Sequence, residues 1–170
     1  MKGHRISFED VRIRVATPND IDAVDALIRE LATYEHLSHQ VIATKTQLRD
    51  ALFSDTPHVY CHVVENDDSV IGFALWFLTY STFEGATGIY LEDLFVHPEF
   101  RGLGIGKALL QEVAAIAVEK NCPRLQWEVL DWNTPAIDFY SAMGAEFMDT
   151  WRNVRVTGVA LQRLAGSGQQ

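Results

Sequence analysis

Apolar positions in this chain change period repeatedly, and each change marks an element. Val11, Ile13 and Val15 alternate with polar neighbours, as a half-buried strand does. Ile21, Val24, Leu27, Ile28 and Leu31 then recur at helical spacing. Thr17-Pro18-Asn19-Asp20 ahead of them supplies a cap, a proline suited to the first helical position and a first-turn acid, so a helix is predicted to about Tyr34. A second helix is expected over residues 44–53. Residues 59–65 and 70–79 read as strands joined by the turn formers Asn66-Asp67-Asp68-Ser69, and 88–96 as the next, giving an antiparallel meander. A helix over 104–120 follows. Beyond Pro123 the pattern predicts a strand over 125–130 and a helix from about Asn133 to Met143, closed by Gly144. Residues 146–156 are expected to form one or two strands, 159–165 a terminal helical turn, and 166–170 a disordered tail. With no repeat, linker or low-complexity segment, the economical reading is one α/β domain over residues 1–165.

Composition narrows the class. The chain has 170 residues, 48% of them apolar, enough to bury a core without staples. The longest apolar run, 71–80, is far shorter than the roughly 18 residues of a membrane span. Residues 1–14 carry charge throughout and lack the apolar stretch of a secretory signal, so a cytoplasmic enzyme without a membrane partner is expected. Cys61 and Cys122 lie far apart with no metal or redox spacing, which predicts two reduced, buried thiols. A net charge of −9 argues against nucleic acid as a partner and mildly for a cation, although most of it is solvated surface.

The chemistry concentrates in residues 99–107, Glu-Phe-Arg-Gly-Leu-Gly-Ile-Gly-Lys, which leave an apolar strand and open a helix. Glycines there suit a turn that approaches a ligand, and a helix N-terminus offers free N–H groups and a positive dipole end. A Walker loop fails, because Arg101 stands at its first glycine and Ala108 at its hydroxyl. A dinucleotide fingerprint fails too, because Lys107 replaces its last glycine. What remains, R-x-x-G-x-G over Arg101, Gly102, Leu103, Gly104, Ile105 and Gly106, resembles the pyrophosphate motif of the GCN5-related N-acetyltransferase family, whose cofactor is acetyl-CoA.

Tyr90-Leu91-Glu92-Asp93 before the loop, and Asp131-Trp132-Asn133 running on to Ala136 and Phe139-Tyr140 after it, resemble the diamine (spermidine/spermine) N-acetyltransferase branch and its thialysine N-ε-acetyltransferase relative. The resemblance runs from about Arg12 to Ala165. It implies an α/β fold with a mixed, mostly antiparallel sheet, split by a β-bulge and covered by helices on both faces. It also implies a homodimer. In place of that branch's acidic insert this chain has only Phe147-Met148-Asp149-Thr150 before Trp151, which leaves polyamine specificity open.

An alkyl ammonium with a pKa near ~10.4 must lose a proton before attacking a thioester, at a cost of roughly 4–5 kcal/mol at neutral pH. A base is therefore needed. Glu92, on the strand leading into the loop, is implied by the resemblance to bind the amine and take its proton through water. Asp93 points to the other side if pairing is regular, in a hydrogen-bonding or salt-bridge role behind the strand. The departing thiolate wants a donor, and the resemblance gives that role to Tyr140, two helical turns past Asn133 and on one face with Ala136. Leu94, Phe95 and Val96 would offer backbone N–H to the thioester carbonyl where the strand splays from its neighbour, with Lys107 completing the cofactor contacts. Tyr34 and Glu35 match a family pair at the substrate site, and Gln126, Trp127 and Glu128 match a substrate-contacting stretch. Glu35, Glu92 and Glu128 would then hold a cation at both ends. No metal is expected: His58 and His62, four apart on a strand at roughly 3.3 Å per residue, cannot share a zinc. The reading is an acetyl-CoA-dependent N-acetyltransferase acting on a small diamine, polyamine or lysine-like amine. Protein N-terminal or lysine acetylation, and a CoA sensor without turnover, are the alternatives.

Overall fold

A computed structural model describes residues 10–166. The expected tail falls mostly outside them. The described chain comprises two compact units, one ending at Leu130 and one beginning at Asp131.

The first unit is built on a five-stranded sheet in the order β1 (Arg12–Val15), β2 (Tyr60–Asn66), β3 (Ser69–Ser81), β4 (Ala86–Val96), β5 (Leu125–Gln126). Neighbours β1 to β4 pair antiparallel and β5 joins β4 in parallel. The β2–β3 reversal is as tight as its residues predict. Asp67 and Asp68 adopt φ of 45° and 64°, the left-handed pair that a two-residue hairpin requires. Val63 and Val64, successive residues of β2 that face opposite ways, are both fully buried, so both faces of the sheet are covered.

On one face α1 (Ile21–Tyr34) places Ile21, Val24 and Leu27 against Val63, Phe73, Leu75 and Phe95. Leu52 of α2 (Lys45–Phe53) joins the same cluster. Helix α3 (Ile105–Glu119) packs on β3 and β4 and buries Ile105, Leu109 and Val113. Each such side chain contributes roughly 1.5–3 kcal/mol of burial.

The feature that positions the site is an interruption in β4. Leu75 pairs with Asp93 and Trp76 with Leu91, so Glu92 is an extra residue opposite no partner on β3. Such a bulge bends the strand and increases its twist. The β4–β5 ladder consists of Ile89 with Leu125 and Tyr90 with Gln126, and stops just before the bulge. The strand expected over 125–130 is therefore only two residues long: beyond Glu92, β4 no longer runs beside it. On the other side β3 and β4 press together, since a Cβ on Gly72 would lie 2.9 Å from the Phe95 carbonyl oxygen.

The second unit holds α4 (Thr134–Ala142) and α5 (Gly158–Leu164). The Asn133 side chain caps α4 by accepting the Ala136 N–H at 3.4 Å, and Gly144 closes it at φ 86°. The strands expected over 146–156 do not form among the described residues. Trp151, Val154 and Val156 carry a strand-like pattern, but a pattern selects a face and supplies no partner, and these side chains are exposed.

Candidate active site

Between β4 and α3 the chain makes a short 3-10 turn, Pro98–Phe100, and then the glycine loop. Gly102 and Gly104 sit at φ of 78° and 83°, with open space where a Cβ would be. Their glycine requirement is thus conformational. Gly104 caps α3, whose first i to i−4 bond is Ala108 N–H to the Gly104 carbonyl at 3.0 Å. The N–H groups of Ile105, Gly106 and Lys107 precede that bond and are suited to an anion at the positive end of the helix. Gly106 lies inside α3, outside the positive-φ set, and Lys107 is exposed.

Arg101 ties this loop to two other elements. Its Nε donates to the Val96 carbonyl at 2.9 Å. Its guanidinium lies 5.0 Å from the Tyr34 ring centroid and 5.2 Å from that of Phe95. The last turn of α1, the end of β4 and the start of the loop, which supply Tyr34, Phe95, Val96 and Arg101, are thereby brought to one place.

Four acids gather along β4 below this point. Glu92 is exposed at the bulge. Glu35 ends α1, its N–H donating to the Leu31 carbonyl at 2.9 Å, and partial burial raises its carboxyl above the ordinary range. Asp93 is pushed up to about 7, first by burial and then by the charges of Glu92 and Glu35. The Tyr90 phenol is raised by burial, by donating a hydrogen bond to Glu128 and by the charges of Glu128 and Glu92. The Tyr90 ring also lies 5.1 Å from that of Phe77. Glu35, Glu92 and Glu128 therefore act on the same stretch of strand. Gln126 pairs with Tyr90, and Trp127 beside it is half-buried.

The regular pairing on which the expected orientation of Asp93 depends is interrupted by the bulge immediately before it. Its strongest electrostatic relations are with Glu92 and Glu35, and no salt bridge takes the place of the one expected behind the strand among the described residues. Adjacent acids in an otherwise apolar strand were the available signal for its importance. Tyr90 was also missed, as one more aromatic in that strand.

In the second unit Asn133 and Tyr140 are buried, and the i, i+3, i+7 spacing puts Asn133, Ala136 and Tyr140 on one face of α4. The histidine pair has a packing role at one member: the buried His62 accepts the Trp76 indole N–H on Nδ1 at 3.3 Å. Among the described residues no group of three or more His, Cys, Asp or Glu is arranged to hold a metal ion. Cys61 and Cys122 are free and buried, and burial pushes the Cys61 thiol up to about 12.

A glycine cradle that follows a bulged strand invites comparison with known proteins, and residues 23–145 match the acetyltransferase (GNAT) family. The chain belongs to that family. Members of it use acetyl-CoA and transfer its acetyl group, and this chain is an N-acetyltransferase. It is 41% identical over 167 residues to thialysine N-epsilon-acetyltransferase of Bos taurus, covering 92% of this chain and 98% of the relative. L-ornithine N5-acetyltransferase NATA1 of Arabidopsis thaliana is 34% identical, with 95% and 90% covered. Among solved structures, an integron cassette protein from V. cholerae superposes with a TM-score of 0.76 at 30% identity, covering 92% of this chain and 98% of that one. No helix among the described residues is long and apolar enough to cross a membrane.

Proposed function

We propose that this N-acetyltransferase moves acetyl from acetyl-CoA to the primary amine of a small cationic substrate, either a lysine-like amino acid such as thialysine or ornithine, or a diamine or polyamine. The observation that carries this reading is the convergence of Glu35, Glu92 and Asp93, with Glu128 held on Tyr90, beside the strand that enters the glycine loop. Acids in that position attract an ammonium group and offset part of the cost of removing its proton. The relatives named for thialysine and ornithine acetylation support a substrate with a side-chain amine.

The residues take roles as follows. Gly102, Leu103, Gly104, Ile105, Gly106 and Lys107 receive the pyrophosphate on backbone N–H groups and positive charge, with Arg101 setting the loop in place. Leu94, Phe95 and Val96 lie past the last β4–β5 pair, which leaves that edge of β4 open to the pantetheine arm and offers N–H groups to the thioester carbonyl. Asn133 and Ala136 serve the cofactor. Glu92 meets the ammonium and draws off its proton, while Tyr34, Glu35, Gln126, Trp127 and Glu128 shape the amine subsite. Tyr140 gives a proton to the departing thiolate.

Phe147, Met148, Trp151, Val154, Val156, Val159 and Leu161 are all exposed, with Val154 at 93%. An apolar stretch of that extent supports a homodimer, which light scattering would test. Dependence on acetyl-CoA supports a cytoplasmic location.

The central test is thiol release from acetyl-CoA with putrescine, spermidine, spermine, lysine, ornithine, thialysine and a basic peptide. Turnover on one or more of the small amines is expected. Turnover on the peptide alone would transfer the assignment to protein acetylation, and acetyl-CoA binding without turnover on any amine would make the chain a sensor.

A further inference from the structure

Removing a proton from the substrate ammonium requires a place for that proton to rest, and the two acids at the bulge differ in what they can offer. Glu92 is the extra residue of β4 and is exposed, so it can meet a substrate. Asp93 is the next residue and sits in register with Leu75, which is itself in register with Cys61 on β2. Leu75 and Cys61 belong to the apolar cluster under α1, so Asp93, itself half-buried, occupies the α1 side of the sheet beside an apolar row.

We infer that Asp93 holds the proton that Glu92 draws from the substrate, so that one carboxyl of the bulge collects and the other stores. The inference rests on the acetyl-transfer reading above.

The groups facing Asp93 leave little else for it to do. From its own strand comes Glu92, from the end of α1 comes Glu35, and from β2 comes the Cys61 thiol, which burial keeps uncharged at neutral pH. None of these is a cation; the Arg101 guanidinium is engaged over the Phe95 and Tyr34 rings and with the Val96 carbonyl, and it is not among the charges that act on Asp93. A shielded carboxyl beside two other acids gains little by staying ionised, and its preference for a proton, at about 7, matches the neutral range in which acid–base catalysis is most efficient.

The step balances without any other reactant. An N–H bond of the ammonium breaks, its electron pair stays on nitrogen, and an O–H bond forms on the Asp93 carboxylate by way of Glu92. The neutral amine then attacks the thioester carbonyl. Tyr140 gives its proton to the thiolate, which leaves as CoA thiol, and the second proton of the attacking nitrogen restores the Tyr140 hydroxyl. Asp93 returns its proton to solvent when the amide product departs. A cation in the pocket also favours ionised Asp93, so an arriving ammonium readies the acceptor.

The experiment pairs two readouts on the full chain: carboxyl titration by 13C NMR without substrate, and pH profiles of kcat/KM with one amine that the wild type accepts. For the wild type, one aspartate carboxyl should titrate near pH 7, and kcat/KM should show a matching inflection below the amine's own ionisation near ~10. Asp93→Asn should lose both and lower kcat by at least about tenfold, with KM for the amine changed by less than about threefold. Glu92→Gln and Glu35→Gln should each move the Asp93 titration to lower pH, because each removes a charge that opposes its ionisation. A merely structural Asp93 would not move the inflection in that way. Were Asp93→Asn to fold poorly, Glu35→Gln and the wild-type titration would still decide.

The inference is overturned if no wild-type carboxyl titrates between about pH 6 and 8, or if Asp93→Asn keeps the wild-type profile. Absence of turnover by wild type on every small amine would sink the acetyl-transfer reading instead, and with it the proton store.

Discussion

Replacing Arg101 by lysine keeps the positive charge at the entrance of the glycine loop but removes the planar guanidinium, and so separates two ways this residue could serve a pyrophosphate. In the structure the guanidinium bonds the Val96 carbonyl at 2.9 Å and lies 5.0 and 5.2 Å from the Tyr34 and Phe95 ring centroids. A hydrogen bond from a charged donor contributes about 1.5–3 kcal/mol, and each cation–π contact at an exposed site about 0.5–1 kcal/mol. Their sum is an upper bound, because Arg101 is exposed and water recovers part of what is lost. Lysine also lacks the fork that holds both contacts at once. A net loss of about 2 kcal/mol follows, which at roughly 2–4 °C per kcal/mol for a chain of this size lowers Tm by about 4–8 °C. About half of that loss should appear as misplacement of the loop, weakening acetyl-CoA about fivefold. Differential scanning calorimetry and titration calorimetry on wild type, Arg101→Lys and Arg101→Met would measure both. Wild-type Tm and affinity in Arg101→Lys, with losses confined to Arg101→Met, would show that charge alone matters and refute the tie.

Gly106 lies in α3 outside the positive-φ set, so Gly106→Ala should leave Tm unchanged or raise it, alanine being favoured over glycine by up to about 1 kcal/mol in a helix. Acetyl-CoA affinity should nevertheless fall about tenfold or more by calorimetry, because the new methyl occupies the cradle. Tyr140→Phe should lower kcat about ten- to a thousandfold in the thiol-release assay and spare acetyl-CoA affinity. Turnover within a factor of about two of wild type would make the ring a packing element. Burial lowers the pKa of His62 despite the opposing charge of Glu112. The unfolded chain therefore takes up a proton that the folded one resists, and stability should decline as pH falls below about 6.5. Urea unfolding at several pH values, followed by far-ultraviolet circular dichroism, would show this, and His62→Gln should flatten the decline.

Period and punctuation in the sequence determined the helices and the meander within a residue or two, because a buried face must repeat at 3.6 or 2, and the faces of α1, β2 and β3 are covered by neighbouring elements of the first unit. The glycine loop was equally legible. Gly102 and Gly104 are required by backbone conformation, a property local to the loop itself. Tertiary structure alone decided where strands stop: β5 ends at Gln126 because β4 bends away at Glu92, and residues 146–156 have the pattern of a strand with no strand to pair with among the described residues. It also decided what Asp93 is. Regular alternation predicts only that it faces away from Glu92, whereas the bulge, the approach of Glu35 from α1 and the apolar row behind it raise its proton affinity into the neutral range. Arg101 changes in the same way, from a charge in a motif to a tie between α1, β4 and the loop. A sequence records which groups are available along the chain, whereas their charge state and orientation are set by neighbours distant in sequence and close in space.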